Sequence, residues 1–522
     1  MNRLLIILSW LLLSTTVIAQ NKPNLVPYPN RLEMNEGSFS ISNKISIKAD
    51  AKLKEKSRQL KNMLVALSGD QTKIVEKGGN RIQLSLSKDL KKQLGEEAYC
   101  LDINKNEINI EAASPAGAFY AIQSLRQIVM QNKSSLPCLS IKDAPAFSWR
   151  AFMLDESRYF KGTRVVKDLL DEMASLKMNV FHWHLTDDQG WRIEIKKYPK
   201  LTEVGSKRND SQTGGWNGTT FSGEAHEGFY TQEEIKEIID YAAKRHITIV
   251  PEIEMPGHAS AAIAAYPWLG STDEQTEVPV IFGKMKNAYN IADPRVYEFI
   301  EDVMNEVFNL FPSQVVHIGG DEVLFDHWRE NKQVLQLMKE ENLSSFADAQ
   351  IYFTNKVSNL IDKKGRRMMG WNDILGGDIH EWQQSTDVET NQTLAKSTIV
   401  HFWKGNIKLV EEAVTNGYDI VNSHHLYTYL DYGDNTISLE KAYSFKPIPE
   451  SLDPKYHNKV IGLGCQMWGE WISQEKDLNR QVFPRLAAYA EVGWTKQYNK
   501  DFRRFEIGVD KLFDNWKSLK EK

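Results

Sequence analysis

From Pro145 onward the chain repeats a short β-type run, a loop and a helical pattern, and this rhythm leaves few folds open. The β-type runs fall at residues 149–154, 179–184, 248–252, 315–319, 367–371, 398–403, 419–423 and 461–467. Helical spacing lies between most of them, at 166–177, 232–245, 294–311, 348–364 and 407–416. Strands separated by helices pair in parallel, and eight such units in about 350 residues predict an α/β fold of the (β/α)8 TIM-barrel type. In that fold the chemistry sits at the C-terminal ends of the strands.

The preceding stretch, 22–143, mixes alternating runs at 81–87 and 98–103 with helical spacing at 116–131. Asn104-Lys105-Asn106 separates two alternating runs and reads as a hairpin turn. This is a small α+β domain with neither an acid cluster nor metal-ligand spacing, so it reads as a packing domain. Residues 146–500 form the barrel, and 501–522 carry an amphipathic helical pattern expected to pack on it. Residues 1–19 begin with Arg3, continue through an apolar run and end in small residues, the pattern of a secretory signal peptide. An exported protein in periplasm, cell surface or medium is therefore expected, with no membrane span because the run is too short. Cys100, Cys138 and Cys465 are too few and too scattered for a disulfide framework, although a Cys100–Cys138 bridge is open.

If the barrel is right, its strand exits should be polar or aromatic, and they are. The second leads into Asp187-Asp188, the third into Glu252, Glu254 and His258, and the fourth into Gly319-Gly320-Asp321-Glu322. The fifth gives Trp371 and Asp373, the sixth Trp403, the seventh Tyr429 and Asp431, and the eighth Trp468 and Glu470. For the first, Trp149-Arg150 is taken as the strand end, followed by Asp155 and Arg158. Adjacent carboxylates such as Asp321-Glu322 shift each other's pKa, so one can stay protonated while the other stays charged, as cleavage of a glycosidic bond requires. Glycines in front of them let backbone and ligand approach closely. The fourteen tryptophans and nineteen tyrosines exceed what a core of this size needs, and aromatic rings stack on the C–H faces of sugars. A formal charge of −5 offers no field for a phosphate backbone, which argues against a nucleic-acid partner.

Trp-Arg, His-Trp-His-Leu-Thr-Asp-Asp-Gln, Pro-Glu-Ile-x-Met-Pro-Gly-His, His-Ile-Gly-Gly-Asp-Glu, Tyr-Leu-Asp and Trp-x-Glu occur in that order. Together they resemble the β-N-acetylhexosaminidases of glycoside hydrolase family 20. The resemblance implies a glycan substrate with a terminal N-acetylhexosamine and a retaining mechanism in which the substrate's own acetamido oxygen is the nucleophile. It implies that Glu322 is general acid and then base, that Asp321 accepts the acetamido N–H, and that Tyr429 holds the acetamido carbonyl. It implies that Arg150, Asp431 and Glu470 grip hydroxyls, that Trp371, Trp403 and Trp468 wall the acetamido pocket, and that His258 bonds Glu322 with Glu254 behind it and Asp187 near. No metal or organic cofactor is implied, and no oligomeric state is specified. Glu254 stands where the family usually has Asp, and Asp373 where Glu is usual, each one methylene different.

Two rival readings stay in view. His182 and His184 point to the same side of a strand, like the His-x-His pair of metal-dependent barrel hydrolases. Histidines hydrogen-bonded inside the barrel are the plainer alternative. An inactive sugar-binding relative is the other rival, although Glu322, Asp321 and Tyr429 are all present. Trp191, Trp268, Trp328 and Trp494 lie away from strand ends and are expected in the core, while Arg158 and Arg192 are expected to tie loops. The long loops 188–230 and 259–293 are expected to shape the leaving-group side.

Overall fold

The computed structural model describes residues 22–41, 44–68, 73–75, 80–272, 274–376 and 393–520, so the segment 1–19, expected to be a signal peptide, lies outside the described residues. The α+β domain is a seven-stranded sheet whose spatial order begins Arg31–Ser40, Ser135–Asp143, Tyr99–Ile103 and Glu107–Ala112. Asn104 makes the hairpin: its side-chain oxygen accepts the backbone N–H groups of Asn106 and Glu107, at 2.9 and 3.0 Å. Helix Pro115–Asn132 packs on the sheet beside helix Lys54–Ser68. The antiparallel register excludes a Cys100–Cys138 bridge, because Cys100 faces Lys142 and Cys138 lies four residues further along, about 13 Å away. All three cysteines are free thiols.

Eight parallel strands close the barrel in chain order. They are β1 Trp149–Asp155, β2 Val180–His184, β3 Thr248–Glu252, β4 Val315–His317, β5 Arg367–Trp371, β6 Ile399–Phe402, β7 Asp419–Asn422 and β8 Val460–Met467. Side chains alternate, so a given strand fills the barrel with every second residue. Near the N-terminal ends these are apolar, as with Ala151, Val180, Val250 and Ile399. Towards the C-terminal ends they become His182, His184, Glu252, His317 and His401, all buried. The polarity of the interior thus rises toward the mouth that carries the chemistry.

The two domains meet at the opposite face. Arg150, near the start of β1, donates to Glu97 of the α+β domain at 2.8 and 3.0 Å and to the carbonyls of Phe147 and Lys177. Its guanidinium lies 5.0 Å from the Trp494 ring. The terminal helix Phe502–Lys520 buries Phe505, Val509, Leu512 and Trp516, the spacing of one helical face. Trp516 stacks on Phe483 at 5.2 Å and donates its indole N–H to Glu172 on the barrel's outer helix Thr163–Ser175. Among the described residues no helix is long and apolar enough to cross a membrane.

Candidate active site

Strand β4 is only three residues long and hands over at once to a tight turn. Gly319 and Gly320 take φ of 64° and 86°, a backbone region that side chains disfavour. Space is equally restrictive. A Cβ on Gly319 would lie 1.6 Å from a carboxylate oxygen of Glu254, and one on Gly320 would lie 2.7 Å from Ile374. Gln350 holds the turn by donating to the Gly320 carbonyl at 2.8 Å, and Glu322 itself sits at φ 49° with its N–H donated to Asp373 at 3.2 Å. Strain of this kind is retained where surrounding contacts over-determine it, as at catalytic turns. Gly319→Ala is therefore expected to lower stability by about 1–3 kcal/mol through overpacking against the buried Glu254. Urea unfolding measures that loss, and kcat should fall with it by about 100-fold because the two acids move.

The acids after this turn sit in a connected electrostatic chain. The His258 Nδ1 lies 3.1 Å from Asp187 and 3.3 Å from Asp188, and its Nε2 lies 3.8 Å from Asp321 and 3.9 Å from Glu322. Burial disfavours charge on His258, yet Asp187, Asp188 and Asp321 outweigh it and hold its pKa well above that of an ordinary histidine. The site thus carries an imidazolium facing two carboxyl groups. Burial pushes Asp321 well above the usual carboxylate range, with His258 opposing and Asp373 and Glu322 adding to the rise. Two expectations change here. The carboxylate behind His258 is Asp187 rather than Glu254, and His258 stands beyond hydrogen-bond distance from Glu322. Glu254 lies under Gly319, 3.9 Å from His184, and burial followed by Asp321 and Glu252 raises its pKa strongly.

Asp187 is also not where a sugar hydroxyl could use it. One of its oxygens takes His184 and Arg158, both at 2.9 Å, and the other takes His258 and the Asp188 N–H. It is a positioning residue that ties three strand ends together. Below it, His184 bridges Asp187 and Glu252 at 2.9 and 2.7 Å; burial opposes its charge, but the two acids push its pKa up to about 10. Glu252 also stands 2.8 Å from both His182 and His317 and accepts the Trp371 indole N–H at 2.9 Å. His182, Glu252 and His317 come close enough together to hold a cation. Of these contacts only those from His184 and the Trp371 indole are hydrogen bonds in direction as well as length; the His317 Nδ1 accepts the Gly319 N–H, and the His182 Nε2 is buried without a hydrogen-bond partner among the described residues. The hydrogen-bonded reading fits His184, which serves both Asp187 and Glu252, while His182 stands within charge-pairing distance of Glu252.

Opposite the acids the aromatic residues form a box. Trp403 and Tyr429 are parallel within 6° at 6.1 Å, and Trp468 lies 5.8 Å from Trp371 and 6.0 Å from Tyr429. Asp373 fixes Trp403 by accepting its indole N–H at 2.9 Å, so one carboxylate positions both the acid backbone and the aromatic wall. Asp431 and Glu470 stand near each other, and burial followed by the Glu470 charge holds Asp431 well above its usual range. One oxygen each of Asp321 and Asp431 is buried without a hydrogen-bond partner among the described residues. At the mouth, acceptors left open in this way are available to a ligand's donors.

Arg150 does not reach this site. It lies near the start of β1, and five strand residues, about 16 Å, separate it from the C-terminal end at Asp155. The arginine at the mouth is Arg158, which pairs with Asp155 at 3.0 Å and Asp187 at 2.9 Å, approaches Glu470 to 3.8 Å and lies over Trp468. Burial opposes its charge, but these acids hold its pKa far above normal. The expectation that Arg158 only ties loops missed this. Counting β1 through to Asp155, instead of ending it at Arg150, would have found it. Trp191, Trp328 and Trp494 are fully buried, as expected, and Trp268 is half-buried.

Comparison with known proteins decides the family. Residues 147–497 match the family model "Glycosyl hydrolase family 20, catalytic domain", and residues 22–144 match "Glycosyl hydrolase family 20, domain 2". The chain belongs to glycosyl hydrolase family 20. This hydrolase is 37% identical to a beta-hexosaminidase of Porphyromonas gingivalis over 92% of its own length, and it spans 62% of that relative. It is 34% identical to a beta-hexosaminidase of Vibrio furnissii, covering 90% of this chain and 76% of the relative. Its fold matches a solved beta-N-acetylhexosaminidase of Bacteroides fragilis with a TM-score of 0.78 at 30% identity, over 95% and 96% of the two chains. It matches a Vibrio harveyi family 20 exo beta-N-acetylglucosaminidase, solved with N-acetylglucosamine, with a TM-score of 0.80 at 30% identity over 96% and 78%.

Proposed function

We propose that this family 20 hydrolase removes terminal β-linked N-acetylglucosamine or N-acetylgalactosamine from the non-reducing ends of glycans, with the substrate's acetamido oxygen as the nucleophile. The observation that carries this is the buried, unpartnered oxygen of Asp321, placed beside a proton donor and an aromatic box. Asp321 accepts the acetamido N–H and Tyr429 donates to the acetamido carbonyl, which aims its oxygen at the anomeric carbon. As that oxygen bonds to the anomeric carbon, the glycosidic C–O bond breaks and Glu322 gives its proton to the departing oxygen. The positive charge of the resulting oxazolinium ring favours ionised Asp321. Glu322, now a carboxylate, takes a proton from the water that opens the ring, and the product keeps the β configuration. Arg158, Asp431 and Glu470 hold the sugar hydroxyls, while Trp371, Trp403 and Trp468 enclose the acetamido methyl group. The names of the relatives and the N-acetylglucosamine in the Vibrio harveyi neighbour support this reading.

The basic and apolar start of the chain supports export to periplasm, surface or medium. Aryl glucosaminides and galactosaminides, each with and without the acetyl group, test the nucleophile. Turnover should occur only with the acetyl present. Equal turnover of the free amines, or a sugar ester trapped on any side chain, would overturn the mechanism.

A further inference from the structure

Outside the sugar box, one tryptophan among the described residues is left in the open. Trp216 is 60% exposed, yet it does not dangle: it meets Trp471 edge-on at 5.4 Å, and Trp471 follows the site residue Glu470 directly. Trp471 in turn meets Phe282 at 5.2 Å. The short hairpin that carries Trp216, Gln212–Thr213 paired with Thr220–Phe221, is pinned to the Phe282 loop. Gln212 accepts the Phe282 N–H at 2.9 Å and donates its own backbone N–H to the Val280 carbonyl at 2.7 Å. Backbone and ring contacts therefore hold the indole in a set orientation while most of its surface faces water. A fixed, exposed ring beside a catalytic mouth is a binding surface in waiting.

Its position identifies the occupant. Two residues along from Phe282, Lys284 places its ammonium 3.5 Å from a carboxylate oxygen of Glu322. The proton donor must lie within hydrogen-bond reach of the glycosidic oxygen, so the leaving group departs on the Glu322 side. The Phe282–Lys284 segment links that side to the Trp216 ring, since a Cβ on Gly283 would touch the indole at 3.9 Å. Building on the hydrolase reading above, we infer that Trp216, braced by Trp471 and Phe282, is a stacking platform for the pyranose on the reducing side of the cleaved bond. The ring it suits is one with equatorial substituents, such as N-acetylglucosamine, whose flat C–H face can lie on the indole. The preferred substrate class is then a β-linked oligosaccharide with a sugar leaving group, rather than a glycoside with a small aglycone.

The test compares N,N'-diacetylchitobiose with methyl β-N-acetylglucosaminide for wild type, Trp216→Ala and Trp216→Phe. Trp216→Ala should lower kcat/KM on the disaccharide by about three- to tenfold, the size of one aromatic stacking contact. The loss should appear mainly in KM, the methyl glycoside should lose no more than about twofold, and Trp216→Phe should recover most of the disaccharide activity. Equal losses on both substrates would make Trp216 a structural prop, and no loss on either would mean that the leaving sugar does not touch it. Both overturn the inference. A wild type inactive on both substrates, by contrast, would overturn the proposed activity itself and the platform with it.

Discussion

Glu322→Gln is expected to lower kcat/KM on methyl β-N-acetylglucosaminide by roughly 10²- to 10⁴-fold, the usual contribution of a positioned general acid. A methoxide leaving group cannot depart without a proton, and the amide has none of suitable acidity to give. An aryl substrate with an acidic phenol needs less protonation, so its loss should be several-fold smaller. The contrast between the two leaving groups matters more than either number, because a variant that merely disturbed the turn would slow both alike. The backbone N–H of Glu322 is tied to Asp373 and its φ is set by the glycine turn, so the isosteric amide should leave the site's geometry in place. Wild-type rates on the methyl glycoside would end the assignment of Glu322 as proton donor.

Arg158→Met is expected to be nearly as damaging, by a different route. Arg158 is 4% exposed and compensates Asp155 and Asp187 directly and Glu470 at longer range. Removing a buried cation leaves its carboxylates uncompensated, which costs about 3–5 kcal/mol. Urea unfolding should register that loss. KM on the methyl glycoside should rise as well, since Glu470 and the Asp187–His258 pair lose their anchor. Arg150→Met supplies the comparison. Arg150 is as buried and is paired with Glu97, so its loss should also destabilise the protein, yet KM should stay within about twofold of wild type. A rise in KM for Arg150→Met with none for Arg158→Met would return the sugar-gripping role to Arg150.

These two arginines show where sequence reasoning stops. They are eight residues apart, and both stand in or just after a β-type run next to aromatic or acidic residues. Which of them meets the substrate depends on which end of β1 faces the mouth and on how far the strand continues, and strand ends are what local pattern specifies least well. The same holds for the carboxylate behind His258. Glu254 is near in sequence but turns beneath Gly319, whereas Asp187, 71 residues away, makes the hydrogen bond. Trp216 is a third case, because its loop position says nothing about Trp471, its neighbour in space at 5.4 Å.

By itself, the amino-acid order determined the eight strands, the small sheet domain before them, the helix after them, and the run of acids and aromatic residues at the strand exits. Those features depend on hydrophobic period and on turn residues within a few positions of one another, which a linear reading captures. Only the folded chain decided which arginine stands at the mouth, which acid pairs with His258, how His182, His184 and His317 gather around Glu252, and that Trp216 stays exposed against Trp471. Each of those depends on pairing between residues tens to hundreds of positions apart, where barrel closure and burial choose the partner and local sequence carries no record of the choice.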